Sequence, residues 1–429
     1  MLSKLALFSL LSALTVQVAA ISCVQFDSSW NLYAFGGTSD VKLGANTTWS
    51  SPSASDLSTS GRPPWTGTNT QCILSQTNNA MYVVGGDSSD LSTIYVYNFA
   101  SDSWSTQTTS GAPTDLGNSR SSSVLDHDTN VIYTLTTSSG LYQLDLSSVT
   151  NSAQSSALAW EAVENSSFST SGYSVTAAQA ANHIFYFGVP DTAAGSANVF
   201  VVHYAYFQPT AQNFSGTAFP DTAGQAISIP VESDSVPYSM VFVPNDFSNT
   251  YIATHWTNLG DYSVTTDAPF ATNLINSTQT IAAPTSQDKT AAYAASPYDL
   301  VQIDSQGDIY YYATPVNSDY TVSSSGSWQK LSYSVSGATG SSSSTNSTTS
   351  AAPSGSASAS ASASAASGSA SASKAASGTS SASAKASGAS ASASASASSA
   401  SSAGTAVVAR GDVLGLAIGV LALGAGVLL

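Results

Sequence analysis

A hairpin pattern that recurs about every fifty residues constrains the fold of this chain more than any other feature. Six stretches share it: a short apolar strand, a polar turn, then a second strand carrying an aromatic. The first runs from Cys23-Val-Gln-Phe to Leu32-Tyr33-Ala-Phe-Gly36-Gly37, and the second from Cys72-Ile-Leu to Met81-Tyr82-Val-Val-Gly85-Gly86. The third runs from Ser123-Val-Leu to Val131-Ile-Tyr133, and the fourth from Tyr173-Ser-Val to Ile184-Phe-Tyr186. The fifth links Ser239-Met-Val-Phe-Val243 to Tyr251, and the sixth links Asp299-Leu-Val-Gln-Ile303 to Ile309-Tyr310. Tyr33, Tyr82 and Tyr133 lie 49 and 51 residues apart, and the later repeats are longer. Alternating apolar residues bounded by Asn, Asp and Gly form hairpins, not helices. A repeat of this length with four short strands has the size of a propeller blade. The expected fold is therefore an all-β propeller of six blades, with room for a seventh between Tyr186 and Tyr251.

These residues resemble the kelch-type β-propellers. The second repeat carries the family pattern most fully: Gly85-Gly86 closing a strand, then Tyr97, then Trp104 seven positions later. The first keeps Gly36-Gly37 and Trp49 but has Val41 to Gly44 where the Tyr would stand. The third lacks the Gly pair and keeps Tyr142 and Trp160, while the last three retain the hairpin, with Trp328 on an outer strand of the last. The resemblance implies that the Gly pair lets backbones approach closely and that Tyr and Trp fill the space between blades. Trp49, Trp104 and Trp328 are then wedges, not ligand platforms. The two cysteines, Cys23 and Cys72, occupy equivalent strand positions one repeat apart. A disulfide between them would tie the first two blades together, provided equivalent strands come close enough.

Composition changes abruptly outside the repeats. Residues 21–335 hold all seven Trp and every acidic residue except Asp412. Residues 336–402 are almost entirely small and polar, with no aromatic. Such a tract buries too little apolar surface to offset its conformational entropy, so a disordered, O-glycosylated stalk is expected. Lys4, the apolar run Leu5 to Leu14 and Val18-Ala19-Ala20 read as a signal peptide over residues 1–20. At the other end, Ser402-Ala403-Gly404, a spacer to Asp412 and an apolar run to Leu429 read as a glycosylphosphatidylinositol signal over 403–429, with Ser402 as the attachment residue. The expected location is the extracellular face of the plasma membrane or the cell wall, in fungal style.

Nine Lys and Arg against 25 Asp and Glu give a net charge of −16. That balance excludes nucleic acid and anionic lipid surfaces as partners, because both require a basic patch. N-glycosylation sequons stand at Asn46, Asn165, Asn213, Asn276 and Asn346. His127, His183, His203 and His255 come from different repeats without metal-ligand spacing, so neither metal nor cofactor is expected. His127 and His183 read as solvated turn residues. Asp126, Asp128, Asp304 and Asp308 flank turns, where Asp is ordinary, and no nucleophile motif is present, so no catalytic residue is assigned.

What remains is a binding surface. Arg62 and Arg120 lie just ahead of a repeat's first strand, and Arg120 resembles the Arg that kelch blades place at the channel mouth. Trp65 shares a loop with Arg62, and Trp256 follows the fifth hairpin. An exposed Trp beside an Arg suits a sugar ring or a peptide; the competing reading is that both Arg pair with Asp in blade seams. The expected function is a monomeric, lipid-anchored surface protein whose propeller binds a glycan or a protein. Two alternatives stand beside it. One is an extracellular carbohydrate-active enzyme with two carboxyl groups within about 10 Å at the mouth. The other is a structural wall component.

Overall fold

Tight turns between short apolar runs produce strands and little else in this chain. The computed structural model describes residues 23–118, 121–255, 274–323 and 325–337. The expected signal peptide, the expected stalk beyond residue 337, the expected attachment signal with Ser402, and Arg120, Trp256 and Asn346 lie outside the described residues.

The strands form antiparallel four-strand units in chain order. The first unit contains Cys23–Phe26, Leu32–Phe35, Val41–Gly44 and Ser55–Asp56. An eight-stranded sheet follows, made of two antiparallel runs. Gln71–Ser75, Ala80–Val84, Thr93–Asn98 and Ser103–Ser110 form the second unit; Ser122–Asp126, Val131–Thr136, Gly140–Asp145 and Leu158–Glu164 form the third. The runs join where Leu158 and Ala159 pair in parallel with Thr109 and Ser110. The fourth unit contains Ala177–Ala180, His183–Tyr186, Ser196–Val201 and Tyr206–Phe207, and the fifth Gly224–Ile229, Ser239–Pro244, Thr250–Thr254 and Ser277–Ile281. Ala292–Ala295, Asp299–Ile303, Asp308–Ala313 and Trp328–Ser334 make the last.

The leading strand of each unit lies beside the leading strand of the next, and Cys23–Phe26 also lies beside Ala292–Ala295. The sheets are thus arranged like a propeller, their first strands around a common axis. The first and last units share no strand. They meet instead through Thr38 N–H donating to Ser336 O at 2.8 Å and Asn46 Nδ2 donating to Asp299 Oδ2 at 2.8 Å. Beneath these bonds, Val24, Leu32, Val41 and Trp49 form one apolar cluster with Val301, Ile309, Leu331 and Val335.

Aromatic side chains fill several seams in a repeated way. Trp104 of the second unit donates its Nε1 hydrogen to Asp40 of the first at 3.3 Å. Trp160 of the third reaches Thr109 of the second at 3.1 Å, and Trp328 of the last reaches Ala282 O of the fifth at 2.9 Å. Trp49 of the first unit packs its ring edge-on against Tyr311 of the last, 5.0 Å away. Each Trp therefore leans on the preceding unit around the ring, and each buried ring contributes about 2–3 kcal/mol of apolar transfer free energy. Cys23 and Cys72 are bonded, with Cα atoms 6.3 Å apart, linking the leading strands of the first two units.

The glycine pair of the second unit works at a crossover. Gly85 has φ +66°, and a Cβ there would lie 2.9 Å from Asn69 O; one on Gly86 would lie 2.9 Å from Pro63 Cβ. The chain entering the unit at Pro63–Thr70 runs directly over this pair, so the close approach is to a connecting segment and not to a neighbouring blade.

The repeat read from sequence is in phase for the early units and one strand out of phase for the fifth and sixth. Ser239–Pro244 with Thr250–Thr254, and Asp299–Ile303 with Asp308–Ala313, are second and third strands of their sheets. The leading strands there are Gly224–Ile229 and Ala292–Ala295. Ala-rich Ala292–Ala295 lacks the β-branched residues that mark a strand, and nine residues separate Ile229 from Ser239, so no tight turn marks that strand pair in the sequence.

Candidate functional site

Alternation of strand direction puts every turn that follows a leading strand at one end of the propeller. The axial channel opens there. It holds a cavity of about 150 Å³ lined by leading-strand residues including Gln25, Ser75, Ser123, Gln179, Ser228 and Ala294. Most of these polar groups already serve the ring. Gln179 Nε2 donates to Asp126 Oδ1 at 2.6 Å, Gln179 Oε1 accepts from His127 N–H at 3.1 Å, and Ser228 Oγ donates to Gln179 O at 2.8 Å. Asp126 is buried, which raises its carboxyl pKa against the pull of the Thr129 and Gln179 hydrogen bonds. None of the described residues lining the cavity is Asp or Glu.

The turn of the fifth unit differs from its equivalents. Pro230 to Tyr238 leaves Ile229 and crosses the mouth instead of turning back at once. Gln76 Nε2 of the second unit donates to Val231 O at 2.8 Å, and Thr77 Oγ1 donates to Asp234 Oδ1 at 3.3 Å. His127 Nε2 of the third unit lies 3.2 Å from the same Asp234 oxygen. Ala181 N–H of the fourth donates to Pro237 O at 2.7 Å. The Glu232 carboxylate raises the pKa of the Tyr298 hydroxyl of the last unit. Burial opposes charge on His127, but the hydrogen bonds and fields of Asp128 and Asp234 outweigh it and raise the imidazole pKa above 6.5.

The same end carries the exposed large aromatics of the described residues. Tyr204 is 74% exposed and Tyr206 41%, both at the turn between the third and outer strands of the fourth unit; Tyr298 is 38% exposed. His203, immediately before Tyr204, is also exposed.

Two of the four ligand candidates from sequence fall within the described residues, and the structure joins them in a seam. Arg62 Nη1 lies 3.1 Å from Asp40 Oδ1, and Asp40 is fully buried. Asp40 also accepts from Gly36 N–H and Trp104 Nε1, and Trp104 stacks edge-on against Trp65 with centroids 6.0 Å apart. Burial raises the Asp40 pKa, and the Gly36, Arg62 and Trp104 contacts pull it down only in part. Trp65 is 4% exposed and offers no ring face to a ligand.

His183 does not lie in a solvated turn. Ala181 adopts φ +48°, which closes a two-residue turn with Asn182 and starts the next strand at His183. Its ring meets that of His255 at 4.9 Å, and burial depresses both imidazoles, to pKa values of about 3 and about 4. Among the described residues no three His, Cys, Asp or Glu gather as a metal site. Asn46, Asn165 and Asn213 are exposed, whereas Asn276 is half-buried with its Oδ1 against His255 Nδ1.

Sequence reasoning missed the segment over the mouth and the role of His127. The available signal was Pro230 and Pro237 bracketing an acidic stretch between two strands, a composition that resists both helix and ladder. The Kelch motif matches residues 75–110, the stretch that contains Gly85, Gly86, Tyr97 and Trp104. No curated protein matches the chain.

Proposed function

We propose, from the premise that this chain is a kelch-type β-propeller, that it is a ligand-binding, protein-interaction head displayed outside the cell on its Ser/Ala-rich stalk. Functional groups on such folds sit on loops held by a rigid scaffold. One observation carries the reading here: Tyr204, Tyr206 and Tyr298 are exposed at the end where the channel opens, whereas the other large aromatics among the described residues are buried or half-buried. Exposed rings beside polar groups bind peptides and sugar rings, so the ligand is a protein or a glycan. We count six blades, treating the eight-stranded sheet as two. The surface location rests on the signal peptide, the stalk and the lipid-attachment signal with Ser402.

The test uses the full chain on cells and its secreted head. A phosphatidylinositol-specific phospholipase releases a lipid-anchored protein from the surface, and failure of release in a chain that reaches the surface removes the anchor. Glycan arrays and pull-downs then compare the native head with Tyr204→Ala/Tyr206→Ala. A loss of at least about tenfold, or 1.4 kcal/mol, supports this face; unchanged binding removes it. Arg120→Ala and Trp256→Ala test the two remaining ligand candidates, while Arg62→Ala would disturb the seam and makes a poor control.

The carbohydrate-active alternative needs paired carboxyls facing one pocket, and the described lining of the channel supplies none. No observation favours the structural-wall alternative over the binding head; deleting residues 23–337 with unchanged wall behaviour would.

A further inference from the structure

We propose that the channel mouth is a receptor for an acidic peptide that turns as Val231 to Asp234 does, and that Pro230 to Tyr238 fills it in cis, so that a partner binds by displacing the protein's own strap. The inference rests on the binding-head reading and narrows its partner class.

The strap is held as a ligand is held. Besides an internal bond from Asp234 N–H to Val231 O and one from His255 N–H of its own unit to Tyr238 O, it takes hydrogen bonds from three other units, reaching across the mouth. Two of them read main chain: Gln76 Nε2 to Val231 O and Ala181 N–H to Pro237 O. Such contacts accept any peptide that follows the same path. Two others read a carboxylate: Thr77 Oγ1 and His127 Nε2 converge on one Asp234 oxygen. These select Asp or Glu three residues beyond the first bonded carbonyl. His127 is placed for this task in a chain with only nine Lys and Arg among 429 residues. The groups facing it are Asp128 on its own turn, Asp234 on the strap, and the neutral Thr77 and Gln179 of the flanking units. The chain's net negative charge repels an acidic guest at long range. Physiological salt screens that repulsion beyond about 8 Å, so local contacts decide.

The strap is also built to leave. Glu232, Ser233 and Asp234 are exposed, and Pro237 is the buried residue of the segment. A segment with few apolar contacts and solvent-exposed hydrogen bonds opens at low free-energy cost. Tethering gives it an effective concentration in the millimolar range, enough to exclude a weak free competitor. A free peptide therefore binds poorly until the strap is weakened or outcompeted.

The probe is a fluorescein-labelled synthetic peptide of sequence Pro-Val-Glu-Ser-Asp-Ser-Val-Pro-Tyr, read by anisotropy against the full chain. A variant with residues 231–236 replaced by Gly and Ser is expected to bind it at least about tenfold tighter than the native chain. Adding Gln76→Ala and His127→Ala to that variant is expected to abolish the gain, and a probe with Asn at its Asp position should bind several-fold more weakly. Equal affinity of native and strap-replaced chains, with both melting cooperatively, overturns the inference. So does indifference to the Asp-to-Asn change. Should the replaced strap prevent folding, Glu232→Ala/Asp234→Ala in the intact chain serves instead. It must raise both probe affinity and hydrogen exchange across 231–236, and no change in either is equally fatal. A head that captures a protein or glycan through Tyr204 and Tyr206 while strap variants leave that affinity unchanged refutes the strap and leaves the binding head standing.

Discussion

The seam between the first and second units and the seam between the fourth and fifth solve one packing problem with different chemistry. In the first, Trp104 and Trp65 wedge the sheets apart at the correct angle, and a buried Arg62–Asp40 pair and the Cys23–Cys72 bond fasten them. In the second there is no Trp wedge, ion pair or disulfide among the described residues. Phe185, Phe187, Phe214, Phe219, Phe242 and Tyr251 form one apolar cluster there, with Phe187 stacked on Phe242 at 5.0 Å. The kelch pattern lies in the first kind of seam only. The difference teaches that the ring requires a filled wedge of fixed volume and tolerates many ways of filling it, as cores tolerate volume-conserving repacking.

If both seams bear equal weight, Trp104→Ala and Phe187→Ala should each cost about 3–5 kcal/mol in guanidinium unfolding, because each empties a buried site. A cost below about 1 kcal/mol for Phe187→Ala would break the equivalence and make the second seam dispensable. Next in size is the disulfide. Cys23→Ser/Cys72→Ser opens a closed loop with a sequence separation of 49 and should cost about 4 kcal/mol. The loss should be accompanied by earlier exchange of the leading strands of the first two units, with the phenylalanine-filled seam unaffected.

The closing seam adds a third kind of fastening, with a titratable group inside it. Burial raises the Asp299 pKa from 3.8 to about 6, although Asn46 Nδ2 donates to it. The folded state therefore holds a proton that the unfolded chain releases, and stability falls as pH rises from about 4 to about 6. Asp299→Asn should leave stability unchanged below pH 4 and raise it by about 2 kcal/mol above pH 6. A uniform gain at both pH values would show that the carboxylate is not the cause. The smallest effect concerns His127. Its raised pKa means that the latch to Asp234 is fully present below pH 6.5 and weakens as pH rises through the folded value. The expected loss is under 1 kcal/mol for a pair whose carboxylate is exposed, seen as faster exchange at residues 231–236 in alkaline buffer and absent in His127→Ala.

Much of the propeller was legible where local and global signals agree. Alternation around Asn78-Asn79 and Gly85-Gly86 sets the second unit correctly, and the Trp104, Trp160 and Trp328 side chains occupy seams. The phase of the fifth and sixth units was not legible. A leading strand buried at the axis needs small residues such as Ala294 and Ala295 more than β-branched ones, so the usual strand signal is weakest there. The site was harder still. Arg62 and Trp65 look like a binding pair in sequence, and only the buried carboxylate of Asp40, contributed 22 positions earlier, shows what holds them. The mouth is assembled from Gln76, His127 and Asp234, whose sequence separations reach 158 residues (76 to 234). No local pattern records such a meeting.

The central claim is that the head closes into a ring through hydrogen bonds and side-chain packing between its first and last units, without a shared strand. Thr38 and Ser336 hydroxyls lie 3.0 Å apart across that closure. Peptide mapping of oxidised Thr38→Cys/Ser336→Cys should therefore find residues 38 and 336 joined by a second disulfide, beside the bond between Cys23 and Cys72. An unjoined pair in a cooperatively folded protein would contradict the closed ring.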